Sequence, residues 1–293
     1  MLSTLLLPLF ISAGLFAATD APPPPEDLCA EADASVARAA DQAAKDPLRP
    51  IYHVTAAARF INDPNGPVYA NGAYHVFFQH LPFWGADREW TRPFWGHAVS
   101  ADLIHWRHKP VALAPTPGSY DADGIASGGC VVDGETPTII YTGVANGRQT
   151  QCIATSRDRL DTWQKDPANP VIPDRPSLEG LEEGFRDPCV WREGNEWRLL
   201  AGSGIKGKGG AVLLYRSPDL RHWELLGPLC TGFGERCFQW ECPAFFPLGG
   251  RQVLIVSPLY HDAPGLRGRV DYAVGAYKED RFFPDAWRPV DLG

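Results

Sequence analysis

Three acidic residues stand in short contexts able to carry bond-breaking chemistry: Asp63 in "NDPNG" (62–66), Asp187 in "FRDPC" (185–189) and Glu241 in "WECP" (240–243). Each places a carboxyl against Pro or Cys, beside an aromatic or basic neighbour. Two carboxyls flanking a bond, one nucleophilic and one protonated, are what glycoside hydrolysis requires. The proton donor needs apolar surroundings and nearby negative charge to raise its pKa. Glu241, between Trp240 and Cys242 and facing two Asp, meets that description best. Asp63 lies on a Pro/Asn-Gly stretch that reads as a tight turn rich in free N–H groups, so it is expected to stay ionised and to attack. Asp187, beside Arg186, is expected to stay charged and to hold sugar hydroxyls.

Residues so far apart need a repeating frame to meet. Short runs rich in β-branched and aromatic residues, such as "PTIIYTGV" (137–144) and "AVLLYRS" (211–217), are bounded by Gly, Pro, Asn or Asp and read as strands. "SADLIHW", "SRDRLDTW" and "SPDLRHW" end at Trp106, Trp163 and Trp223, and a weaker "EDRFFPDAW" ends at Trp287. The Trp spacings of 57, 60 and 64 residues, each unit holding about four strands, are the pattern of a β-propeller. Asp102, Asp158 and Asp219 read as turn caps, and the Trp residues as core. Counted back from each Trp, Asp63, Ser127, Asp187 and Glu241 fall near the starts of successive units. First strands line a propeller's channel, so these four are expected to converge at one mouth.

At this point the chain resembles glycoside hydrolase family 32, the invertases, fructan β-fructosidases and related fructosyltransferases. The resemblance rests on "NDPNG", "FFQH" around Gln79, "WGHAVSADLIHW" (95–106), "SGGC" (127–130), "FRDP" and "WECP", in the family's order over residues 52–291. It implies an all-β, five-bladed propeller with about four blades present in this chain, followed in the family by a C-terminal β-sandwich that is absent here. It implies a retaining double displacement on sucrose or a fructan. Asp63 is then the nucleophile, Glu241 the acid/base and Asp187 the transition-state stabiliser. Asn62, Gln79, Ser127 and Arg186 are the implied fructose-binding residues, with Trp84 or Trp90 as an aromatic wall. Phe60 stands where many members have Trp, Leu81 where Asn is common and Ala244 where Asp is frequent. Two other readings remain open: a fragment or inactive paralogue that only binds sugar, and another five-bladed glycosidase such as an arabinan-active enzyme.

The remaining features bound this reading. A net charge of −8 with no Lys/Arg run argues against nucleic acid and anionic membrane surfaces. The partner expected is a small-molecule sugar. Residues 1–21 read as a signal peptide, which implies a secreted protein, and 22–50 as a Pro/Ala-rich linker without function of its own, its Ala-rich part compatible with a loose helix, leaving 51–293 as the catalytic unit. Of seven Cys, Cys230 and Cys237 are the expected bridge, and Cys130, Cys189 and Cys242 read as core thiols. No spacing suggests a cofactor or metal, Asp121, Asp123, Asp133 and Glu135 included. His80 and His97 read as loop-holding residues. Trp240 fits core or sugar platform equally.

Overall fold

The computed structural model describes residues 27–86, 92–182, 184–261 and 269–290. The signal-peptide stretch and Trp90 lie outside them. Among the described residues, four antiparallel four-stranded sheets follow one another along the chain. The first holds β1 (Phe60–Ala70), β2 (Ala73–Leu81), β3 (Phe94–Ser100) and β4 (Trp106–Leu113). The second holds β5 (Gly124–Asp133), β6 (Thr136–Ala145), β7 (Arg148–Thr155) and β8 (Gln164–Lys165). The third holds β9 (Arg186–Glu193), β10 (Glu196–Ile205), β11 (Gly209–Ser217) and β12 (Glu224–Phe233). The fourth holds β13 (Cys237–Leu248), β14 (Arg251–Tyr260), β15 (Asp271–Lys278) and β16 (Arg281–Pro289). This is the expected all-β propeller arrangement with four blades.

The apolar runs of the middle strands follow from being covered on both faces. Successive side chains of a strand point to opposite sides. On β6, Ile139 and Tyr141 join Phe77 and Trp95 of the first blade, while Ile140 joins Leu199 and Leu213 of the third. On β11, Leu213 and Tyr215 face the second blade, while Val212 and Leu214 pack with Trp240, Phe245 and Leu254 of the fourth. A polar residue on either face would be buried between blades, so the alternation expected of a half-exposed strand is missing. Each such buried side chain contributes roughly 1.5–3 kcal/mol. Trp240 is fully buried in the third-to-fourth blade core, which makes it core rather than sugar platform.

The Ser-x-Asp turns recur as read. Asp102 accepts from the N–H groups of Ile104 and His105, Asp158 from Thr162, and Asp219 from Arg221 and His222. Trp106 and Trp223 each return their indole N–H to the carbonyl three residues back. These turns precede the fourth strand of a blade, so the Trp marks the last strand's start. The weaker copy is out of phase: the turn there is the β15–β16 hairpin at Glu279 and Asp280, and Trp287 lies well inside β16, 5.1 Å from Trp240.

Two expectations are corrected. The Ala-rich part of the stretch read as a linker is not a loose helix but a docked one, α1 (Leu28–Ala43), capped by Asp27. Its buried Leu28 and Ala32 pack on Phe83, Phe94 and Val111 of the first blade, and its Asp33 accepts the Val111 N–H at 3.0 Å. Cys230 and Cys237 are not bridged; all seven Cys are free, and these two are buried in apolar packing on β12 and β13. Among the described residues no helix is long and apolar enough to cross a membrane.

Candidate active site

The "NDPNG" stretch is not a turn but part of β1, with the pairing to β2 shifting between Ile61 and Pro64 and again between Asn65 and Val68. The inner strand of every blade carries such a shift where a candidate site residue lies. On β5 it spans Ser127, on β9 Asp187 and Pro188, and on β13 Cys242 and Pro243 beside Glu241. A β-bulge inserts residues without partners and re-aims their side chains. Asp187 and Cys242 hold the left-handed backbone, φ 61° and 46°, that such re-aiming requires. Gly66, at φ 48°, lets the first two blades close: a Cβ there would lie 2.8 Å from Cys130 Cβ.

These bulges bring the expected residues together. Ser127 Oγ donates to Asp63 Oδ2 at 3.0 Å and receives the Gln79 side-chain N–H at 2.8 Å. Arg186 donates from Nε (2.9 Å) and a terminal nitrogen (2.5 Å) to Oε1 of Glu241, and its Nε is 4.0 Å from Asp187. The Cys242 N–H donates to Asp187 Oδ2 at 3.0 Å, and its Sγ lies 3.6 Å from Asp187 and 3.9 Å from Asp63. Asn62 is exposed beside Asp63 on the same bulge. Trp84 is exposed, its ring 5.6 Å from that of Phe60 and tilted 39° to it.

The electrostatics differ from the surroundings expected of Asp187 and Glu241. Asp187 is buried, and burial raises its carboxyl to about 6. Arg186 and the Cys242 N–H pull it down; Glu241 and Asp63 add to the rise. The sequence shows the Arg186 neighbour but not the burial, which outweighs it. Glu241, assigned the apolar surroundings, instead keeps its side chain 28% exposed and lies against Arg186.

Several supporting residues were missed. Asp187's N–H is held by Thr142 Oγ1 at 2.9 Å; Thr142 donates to Gln151, and Gln151 donates to the Phe185 carbonyl. Gln149 accepts the Phe185 N–H and reaches Arg186. Asn65 accepts the Gly128 N–H, joining the first two blades below Asp63. The readable signal is a polar residue inside an apolar run, as Thr142 is in "PTIIYTGV". His80 bonds the Phe60 carbonyl and His97 bonds His75, so both hold structure, and burial lowers His97 to about 3. Asp121, buried, is taken by Lys165, Tyr141 and the Thr116 N–H. No group of acidic, His or Cys side chains among the described residues is arranged to hold a metal.

Comparison with known proteins agrees with this layout. The model of the glycosyl hydrolases family 32 N-terminal domain matches residues 53–293. The chain is 38% identical over 252 residues to the sucrose-6-phosphate hydrolase of Escherichia coli, covering 83% of this chain and 49% of that protein. It is 40% identical over 229 residues to an Escherichia coli raffinose invertase, covering 75% and 46%. It thus spans about half the length of the curated relatives it matches. The family 32 β-fructofuranosidase of Bombyx mori superposes with a TM-score of 0.78 at 33% identity, over 92% of this chain and 58% of that one, and a mutant of it was solved in complex with sucrose. The motifs, the bulged inner strands and the domain match agree: this chain belongs to glycosyl hydrolase family 32.

Proposed function

We propose that this chain is the catalytic part of a retaining β-fructosidase acting on sucrose-type β-fructosides or fructans. The observation that carries the reading is the meeting of Asp63, Asp187 and Glu241 around Cys242 and Arg186, from the inner strands of three blades. In the first step Asp63 attacks the anomeric carbon of the fructosyl unit while the bond to the leaving oxygen breaks. Glu241 gives that oxygen its proton; Arg186 occupies Oε1, which leaves Oε2 for the transfer. In the second step Glu241 takes a proton from water, whose oxygen displaces Asp63 from the fructosyl ester. Asp187, buried and aimed by the β9 bulge, accepts from fructose hydroxyls as positive charge develops on the ring. Asn62, Gln79, Ser127 and Arg186 orient the sugar.

Within this class, one observation favours an anionic leaving group. A cavity of about 570 Å³ adjoins Arg186 and is also lined by Arg175 and Lys206, with Glu182 as its acid. Several relatives are sucrose-6-phosphate hydrolases. The test is fructose release by the purified chain from sucrose and from sucrose 6-phosphate, beside Asp63→Ala. Release that disappears in the variant supports the reading, and a higher kcat/KM for the phosphorylated sugar supports the anionic preference. No release above Asp63→Ala from either sugar would end the hydrolase reading for this chain.

A further inference from the structure

We propose that helix α1 is the positioning element of a sugar platform at the mouth of the site, acting through Arg59 on the Phe60–Trp84 ring pair. The helix lies outside the stretch matched by the family domain, residues 53–293. Its docking is nonetheless specific. Ser35, fully buried, donates from Oγ to the Pro82 carbonyl at 2.7 Å, two residues before Trp84. Leu28 and Ala32 press on Phe83, the residue between.

Arg59 ties helix, loop and strand into one unit. One of its terminal nitrogens donates to the carbonyls of Trp84 (3.2 Å) and Gly85 (3.1 Å), and the other to the carbonyl of Ser35 (3.4 Å). Its Nε is buried without an acceptor, so all its bonding passes through those two ends. The Arg59 backbone is left-handed, φ 71°, a conformation that a non-glycine residue keeps only where its surroundings fix it. Here the three carbonyls and α1 do so. The next residue is Phe60, whose ring lies 5.6 Å from that of Trp84 at 39°. Both rings are exposed, 43% and 46%, and Asn62 and Asp63 follow directly on β1.

An exposed ring pair beside polar groups suits a sugar, whose C–H face covers an aromatic face while its hydroxyls find hydrogen bonds. Those groups are present. Behind Trp84 a groove of about 560 Å³ runs to the C-terminal end of α1, lined by Gln42, Lys45, Asp46 and Arg59. The ligand class is therefore a glycosyl unit beyond the fructose that occupies the carboxyl cluster. The proposal rests on the reading of that cluster as a fructosyl site.

The test is a double-mutant cycle of Arg59→Met and Trp84→Ala in the full chain, with 1-kestose as substrate. Each variant should raise KM about tenfold, the effect of losing one stacking contact, with a smaller change in kcat. The double variant should be no worse than the weaker single, because both remove one platform. Arg59→Lys, which cannot reach three carbonyls in a fixed fork, should recover only part of the loss. A lower melting temperature in Arg59→Met with KM unchanged, or KM losses that multiply in the double variant, would overturn the proposal. If the chain turns over no sugar, the same cycle is read as the Kd of 1-kestose by calorimetry. Coupled losses in Kd then uphold the platform while the hydrolase reading fails, and no binding by the unmodified chain overturns both.

Discussion

At the scale of single residues, Asp187 is where stability and chemistry conflict. Its folded carboxyl is raised by burial to about 6, whereas in an unfolded chain the group titrates near ~3.9. Between roughly pH 4 and 6 the folded state therefore holds a proton that the unfolded chain has released, and stability falls as pH rises through that window. Above it, keeping Asp187 ionised costs about 2–3 kcal/mol. Asp187→Asn removes that cost while its side-chain oxygen still accepts the Cys242 N–H. The variant should melt about 5 °C higher than the parent at pH 7.5 and at the same temperature at pH 4. Its fructose release at neutral pH should fall by about 10³-fold or more, as expected when a preorganised charge facing the transition state is lost. Thermal unfolding at both pH values, with a rate at one, checks this; a lower melting temperature at pH 7.5 contradicts it. The carboxyls themselves were legible in the sequence because their motifs are local. Which one burial would raise was not, because Asp187 owes its burial to blades whose residues lie 45 positions before it and 55 after it, at Thr142 and Cys242.

At the scale of elements, the site is a set of four bulges held in register by close backbone contact between blades. The Ser-x-Asp turns could be read directly, since their hydrogen bonds close within five residues. The bulges could not: two residues oppose one only once the partner strand is chosen, and the partner of Asp63's strand is set by pairing with Phe77 to Leu81. The docking of α1 was hidden for a similar reason. Its Ala-rich stripe is weak, and the surfaces that receive it, at Phe83, Phe94 and Val111, lie far along the chain. The third and fourth blades approach closely at Gly202 on β10, beside the site residues. A Cβ there would meet the Trp240 carbonyl oxygen at 2.4 Å and the Arg186 carbonyl oxygen at 3.2 Å. Both are main-chain atoms next to site residues, so neither yields without moving Glu241 or Asp187. Gly202→Ala should lose about 1–3 kcal/mol of stability by overpacking, and kcat should fall at least tenfold, as a displacement near 1 Å would produce. A melting curve and a saturation curve decide it. An unchanged kcat in a destabilised variant would show that the blades shift without disturbing the carboxyls.

At the scale of the whole molecule, packing between blades holds the fold without covalent ties. Three apolar clusters span successive blade pairs, and the seven Cys are distributed among α1 and the second, third and fourth blades as free thiols. Burial raises Cys29, Cys189 and Cys230 to about 11 and Cys152 to about 12, and also pushes Cys130 and Cys242 well up from the ordinary thiol value. Near Cys242 the charges of Asp187, Asp63 and Glu241 reinforce the effect. The thiolate is the reactive form, so these groups should be inert in the native protein at neutral pH. Native protein at pH 8 should take up iodoacetamide slowly at every Cys, and in urea all seven should react together, because one cooperative opening of the blade interfaces exposes them. Reductant should leave the melting temperature unchanged within about 1 °C, since no bridge exists to constrain the unfolded chain. The sign of the pH effect follows from the same shifts. The unfolded thiols titrate near ~8.5, below their folded values, so stability should fall as pH rises past about 9. Rapid labelling of Cys230 or Cys237 in native protein, or a melting temperature that drops with reductant, would refute this account of what holds the blades together.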